Sequence, residues 1–343
     1  MRSDNVTASA SIGDHRLLTW EQMVIHMSKR TTLTAQERLY ERNRRAGYGR
    51  YLFLGAIGTV VILVVPFISN LALSFFSWRG GRSRMRWVGL GNYIDLLHDD
   101  QFWVSFANSL YSIIAMMVIP TLFGLIIAAV LFDYIGRVFG GKTASFLRAC
   151  YYIPQILPVG VAGILWGWIL NTQTGAINRI LAGVFGLAQP PDWLGNPDIA
   201  MYAVMLFVIW SQIGYPVVIF MSALGRVDPE LYEAASLDGA GWWRRFTAIT
   251  IPQIKPEIFV VVLTCTVSAL KLFGPIYVLT KGGPQNMTYV PSYYSYNMFF
   301  VRSQIGYGAA IASVLAVIIT IVAAIIYVFQ NRAEAKENEG VAA

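Results

Sequence analysis

Few residues of this 343-residue sequence have the type and spacing to do chemistry. His15, His26 and His98 lie far apart and form none of the spacings that gather imidazoles around a metal. The two cysteines, Cys150 and Cys265, are too few for a disulfide framework and read as small apolar core residues. No phosphate-binding loop is expected, no catalytic residue or metal ligand is assigned, and the chain is not expected to hydrolyse ATP by itself. What remains suits holding a solute rather than breaking bonds. Lys271 is a lone charge inside a long apolar stretch, where an ionisable group is costly and pairs with a solute hydroxyl, a carboxylate or a backbone carbonyl. Trp210, Gln212 and Tyr215 offer two ring systems and an amide within six residues of chain, with Ser268 and Asn108 as further polar candidates. Trp and Tyr also serve as packing and membrane-interface residues, so the rings alone do not define a site.

The elements that hold these groups are long and apolar. Only 13% of residues are charged, about half the usual share of a soluble domain, and 56% are hydrophobic. The mean hydropathy is +0.53. No charge occurs between Arg50 and Arg79, Asp100 and Asp133, Arg148 and Arg179, Asp198 and Arg226, or Arg302 and Arg332. Each gap holds the roughly 20 residues that carry a helix across about 30 Å of hydrocarbon. A helix is required because unpaired backbone groups are not tolerated in lipid. The expected fold is all-α, with six transmembrane helices over residues 51–76, 103–132, 149–170, 199–224, 258–279 and 305–330. A polar, basic extension (1–50) precedes them and a short polar tail (331–343), expected to fray, follows. Within the extension, Leu17, Trp20, Val24 and Met27 form a stripe at helical spacing, and Thr34 with Glu37 fits a capping box. Pro and Gly interrupt several spans, among them Pro120, Pro154, Pro158 and Pro216, as in helices that break beside a solute path.

The net charge is +7, but it sits in loops and termini, so membrane orientation explains it better than nucleic-acid binding. With six spans, the side shared by both termini carries 18 of the 26 Lys and Arg residues, and the opposite loops carry seven. Both termini are therefore expected in the cytoplasm of a cell carrying this protein in its inner membrane. Arg79, Arg82, Arg84 and Arg86 run against that distribution.

The loop after the fourth span has a local code of its own. Asp228 is a good helix N-cap and Pro229 suits the first turn. Glu230 and Glu233 favour the positive end of the helix. Ala234 and Ala235 continue it, and Gly239 can end it in a left-handed turn. A rigid helix of about two turns, fixed at both ends and with a small alanine face, is compatible with a docking knob and with a plain connection; the residues alone do not choose between them. Trp242, Trp243, Arg244 and Arg245 follow, suited to the membrane interface.

Glu233-Ala234-Ala235, Gly239 and Ile251-Pro252 resemble the EAA loop of binding-protein-dependent ABC importer permeases. The fuller run over 232–240, with Phe246, Ile249 and Thr250, resembles the sugar-importer branch. A second signature covers 276–284, then Thr288, Tyr293, Tyr294, Tyr296 and Phe299, and Gly306-Tyr307-Gly308-Ala309-Ala310 opens the last span. It is similar to the maltose-type, MalF-like subfamily, over residues 51–330. The resemblance implies that Asp228, Glu230, Glu233, Ala234, Ala235, Asp238 and Gly239 form a coupling helix seated in a cleft of a cytoplasmic ATPase subunit. It also implies a second, similar permease subunit, two ATPase subunits that bind ATP and Mg, and an extracytoplasmic solute-binding protein. The sugar path would run between the permeases, with Trp210, Gln212, Tyr215, Ser268 and Lys271 as candidate contacts. A di- or oligosaccharide is expected; the alternatives are a monosaccharide, glycerol-3-phosphate, or an ion-coupled carrier, which needs acidic residues inside the membrane.

Overall fold

A computed structural model of the chain describes residues 52–187 and 189–342. The apolar stripe and capping box expected within 1–50 lie outside the described residues. The chain divides into two units, residues 1–67 and 68–343. Helix α1, Leu52–Leu73, begins in the first unit. Its apolar side chains, from Leu52 to Phe67, are exposed, as on a helix whose solvent is lipid.

The second unit opens with a small antiparallel ladder of β1, Phe76–Ser77, and β2, Arg86–Trp87, in which Phe76 pairs with Trp87. Their rings meet edge to face at 5.0 Å. This short hairpin is the departure from a purely helical chain. Helix α2, Gly91–Leu97, leads into α3, Asp100–Ile135. Asp99 starts α3 by accepting from the backbone N–H groups of Gln101 (2.9 Å) and Phe102 (3.4 Å). At 36 residues α3 is about 54 Å long, well over the thickness of the hydrocarbon layer.

The span expected over 149–170 is instead a pair: α4, Gly141–Ile156, and α5, Val159–Ile169, bent by 94°. The bend falls at Leu157 and Pro158, both with extended ψ. Proline disfavours helical backbone in the residue before it, which is why the helix turns there. After α6, Ala176–Phe185, the chain crosses again as α7, Ala200–Leu224. Then come α8, Pro229–Leu237, and α9, residues 242–253. The fifth span is also broken: α10, Lys255–Leu270, ends before α11, Gly274–Leu279. Helix α12, Pro291–Tyr296, continues into a wider turn over Asn297–Val301, and α13 runs Ile305–Ala342. It carries the expected tail along as helix rather than leaving it frayed. Among the described residues, five segments are long and apolar enough to span a membrane, and the bent α4–α5 pair makes a sixth. The all-α expectation and its span count are what the structure displays.

The core lies in two clusters along the bundle. One gathers Leu96, Phe102, Phe207, Ile276, Tyr293 and Ile311 near the loops over 280–304. The other gathers Leu125, Val217, Phe220, Phe246, Ile254 and Val261 near the loop over 228–241. At the first end, Asp99 also accepts hydrogen bonds from the Tyr294 and Tyr307 hydroxyls, so one carboxylate joins α3, α12 and α13.

Candidate functional site

Helix α8 is built as its residues dictate. Asp228 accepts from the Glu230 N–H at 3.0 Å, and Pro229 occupies the first turn. At the other end the Gly239 N–H bonds to Ser236 O (3.1 Å) and the Ala240 N–H to Ala235 O (2.9 Å). This doubly bonded helix end needs a left-handed residue, and Gly239 supplies it at φ +74°. Both ends of a nine-residue helix are therefore fixed.

One side chain of α8 faces inward. Tyr232 is buried, and its hydroxyl lies 3.1 Å from the buried Thr250 Oγ1 on α9. The rest of the helix, Ala235 apart, is exposed: Glu230, Leu231, Glu233, Ala234 and Leu237 present two carboxylates and two leucines outward. Leu237 is 89% exposed. Asp238, just beyond, is exposed too. A groove of about 670 Å³ runs along the base of α8, lined by Leu131, Ala144, Arg148, Met221, Tyr232 and Glu233.

Side chains that the sequence reading did not single out anchor this knob. Arg245, on α9, donates to Ser236 Oγ in the last turn of α8 and pairs with Asp133, near the end of α3, at 3.5 Å. Arg226 pairs with Glu257, closing the neck of the loop between α7 and α10. By sequence Arg245 suits only the membrane interface; a basic residue nine positions after a helical serine carries no local signal of a tertiary bond.

The sequence Gly136-Arg137-Val138-Phe139-Gly140-Gly141-Lys142-Thr143 has the GxxxxGK[ST] spacing of a phosphate-binding loop, against the expectation of no such pattern. Its setting is different. Such a loop follows a strand, whereas here α3 precedes it, the loop's first three residues, Gly136–Val138, are helical, and α4 begins at Gly141. The Thr143 and Ala144 N–H groups bond back to Gly140 O, so they do not line a cradle.

The candidate solute contacts are not gathered into one cluster. Gln212 is buried and donates to Cys265 Sγ at 3.3 Å, bonding α7 to α10. Trp210 packs on Trp166 (5.6 Å) and Phe207 in the first core cluster, whereas Tyr215 packs on the second. Ser268 is half-buried on α10. Lys271 does not sit within a continuous helix: it caps α10, its N–H bonding to Val267 O, and its side chain is exposed at the break. Asn108 holds the 280–290 loop through bonds to Met287 O and Tyr289 O, both 2.8 Å. Cys265 is buried as expected, but Cys150 is exposed. The second signature proves to be largely self-supporting structure: Thr280 and Thr288 share a 2.7 Å hydrogen bond, and Tyr293 donates to Lys281 O at 2.7 Å.

Comparison with known proteins agrees with this architecture. Residues 120–335 match the family described as the binding-protein-dependent transport system inner membrane component. The probable ABC transporter permease YurN of Bacillus subtilis is 34% identical, over 78% of this chain and 91% of its own length. The diacetylchitobiose uptake permease NgcF of Streptomyces coelicolor is 30% identical over 87% and 88%, and the trehalose/maltose permease MalF of Thermococcus litoralis 30% over 86% and 96%. A bacterial ABC transporter that imports alginate has the same fold, with a TM-score of 0.73, 22% identity and coverage of 86% of this chain and 99% of that one. A multi-pass bundle with a capped knob at one end, matched over most of its length by such permeases, belongs to the binding-protein-dependent inner-membrane permeases of ABC importers.

Proposed function

We propose that this chain is the permease half of an ATP-driven importer for a di- or oligosaccharide. Relatives named for diacetylchitobiose, trehalose and maltose, lactose, and multiple sugars support a saccharide substrate. A solute-binding protein delivers the sugar, in keeping with the family description and with a structural neighbour captured with its periplasmic protein. A second, similar permease completes the path, and two separate ATPase subunits bind ATP and Mg. Both termini and the 228–241 loop face the cytoplasm, as the distribution of Lys and Arg favours.

The observation that carries this reading is α8, capped at both ends and anchored by Tyr232, yet exposing Glu230, Leu231, Glu233 and Leu237. In this reading closure of the ATPase pair displaces α8, and the bundle exchanges inward-open and outward-open states because the partners stabilise them differently. Trp210, Gln212, Tyr215, Ser268 and Lys271 remain the proposed contacts along the path. Ion coupling is disfavoured, because Asp133 and Glu257 lie near the ends of α3 and α10 rather than at mid-span. The test is Glu233→Lys in vesicles containing the full assembly. We expect normal membrane insertion and loss of ATP-dependent sugar uptake; undiminished uptake would refute the coupling role.

A further inference from the structure

A displaced knob moves a membrane bundle only through side chains that bind it to a spanning helix. Tyr232 ties α8 to α9, and the Arg226–Glu257 pair ties the neck of the loop to α10. Arg245 is placed to join three elements at once. One guanidinium nitrogen donates to Ser236 Oγ on α8, another pairs with Asp133 Oδ2 near the end of α3, and Arg245 itself belongs to α9. The pair is largely enclosed, with the Arg245 and Asp133 side chains 19% and 14% exposed. Around it Phe132, Leu224, Trp242 and Phe246 leave a space of only about 10 Å³, room for no more than a single water. Trp242 and Phe246 stack at 5.1 Å and 9° on the same side. A node packed this tightly does not absorb displacement by local rearrangement.

We propose that Arg245 is the positioning residue that makes α8 and the end of α3 move as one body. Displacement of α8 by the ATPase then enters a 36-residue helix directly. Farther along α3, Gly124 lies so close to α7 that an added Cβ would stand 2.7 Å from the Pro216 ring. Movement of α3 therefore reaches α7 without slack. The Arg245 Nε is buried without a hydrogen-bond partner, so the guanidinium is held through its other two nitrogens, on Ser236 and Asp133. The proposal rests on the reading of α8 as the coupling helix.

The test follows amide hydrogen exchange in the complete transporter with its ATPase subunits, with and without ATP and vanadate. In the native complex, trapping is expected to change protection both in α8 and over residues 131–135 of α3. Arg245→Gln keeps the α8 response and loses about fivefold of the α3 response, the size expected when one contact in a coupling chain is removed. Ser236→Ala, which removes the α8 acceptor together with the Ser236 Oγ bond to Tyr232 O, gives the same pattern, and Arg245→Lys restores part of it. An undiminished α3 response in both Arg245→Gln and Ser236→Ala overturns the proposal. So does loss of ATPase binding in both, which would make these residues part of docking rather than transmission. No α8 response in the native complex would instead overturn the coupling-helix reading itself.

Discussion

The Tyr232 hydroxyl lies 3.1 Å from Thr250 Oγ1, and both residues are buried where α8 meets α9. An exposed helix of nine residues is too short to be stable alone, so this inward tyrosine is what gives α8 a fixed seat. Tyr232→Phe keeps the ring and removes the hydroxyl pair. The expected cost is about 1 kcal/mol, or about 2 °C in the unfolding midpoint of the purified protein. An unchanged midpoint would mean that ring packing alone seats the helix.

Gly239 holds φ +74°, and nothing lies within 4 Å of where its Cβ would be. Gly239→Ala therefore acts through the backbone and not through a clash, at about 1–2 kcal/mol for a left-handed non-glycine residue. The end of α8 should loosen, seen as faster proteolysis after Ser236 and weaker retention of the proposed ATPase subunits. Equal proteolysis of the native and variant proteins would contradict this.

At the other end of the bundle, Asp99 accepts two backbone N–H groups and two tyrosine hydroxyls. Asp99→Ala should cost about 3 kcal/mol, since a lost cap and two lost tyrosine hydrogen bonds to a carboxylate add together. Asp99→Asn retains an oxygen for the cap and should fall between. Thermal unfolding in detergent orders the three proteins; a native-like Asp99→Ala would show that the junction is not structural.

Burial, and then the Asp99 carboxylate, raise the pKa of Tyr294 above the ordinary tyrosine value. The folded state thus keeps a proton that the unfolded chain releases near pH 10. The resulting stabilisation is complete below about pH 10 and is lost as the pH rises beyond it. Unfolding midpoints should drop steeply above pH 10, and Tyr294→Phe should flatten that drop. Parallel alkaline curves for both proteins would count against it.

A Cβ on Gly306 would stand 1.7 Å from Phe76 O, where the start of α13 crosses the β1 backbone. Backbone cannot yield that far, so Gly306→Ala should prevent accumulation of folded protein in the membrane. Gly160→Ala, whose added carbon meets nothing within 4 Å, serves as the control.

The loop code from Asp228 to Gly239 was legible in the sequence because caps and helix ends are local: each bond joins residues no more than five apart. The spans were legible for the same kind of reason, since a charge-free stretch of sufficient length is a property of the chain and not of its neighbours. Tertiary structure alone decided the break before Lys271, the 94° turn at Pro158, the pairing of Gln212 with Cys265, and the meeting of Arg245 with Asp133. Arg245 and Asp133 are 112 positions apart, and no periodicity or propensity relates them. Only the packing of α3 against the loop end brings the two charges together, where partial enclosure makes leaving either one unpaired costly.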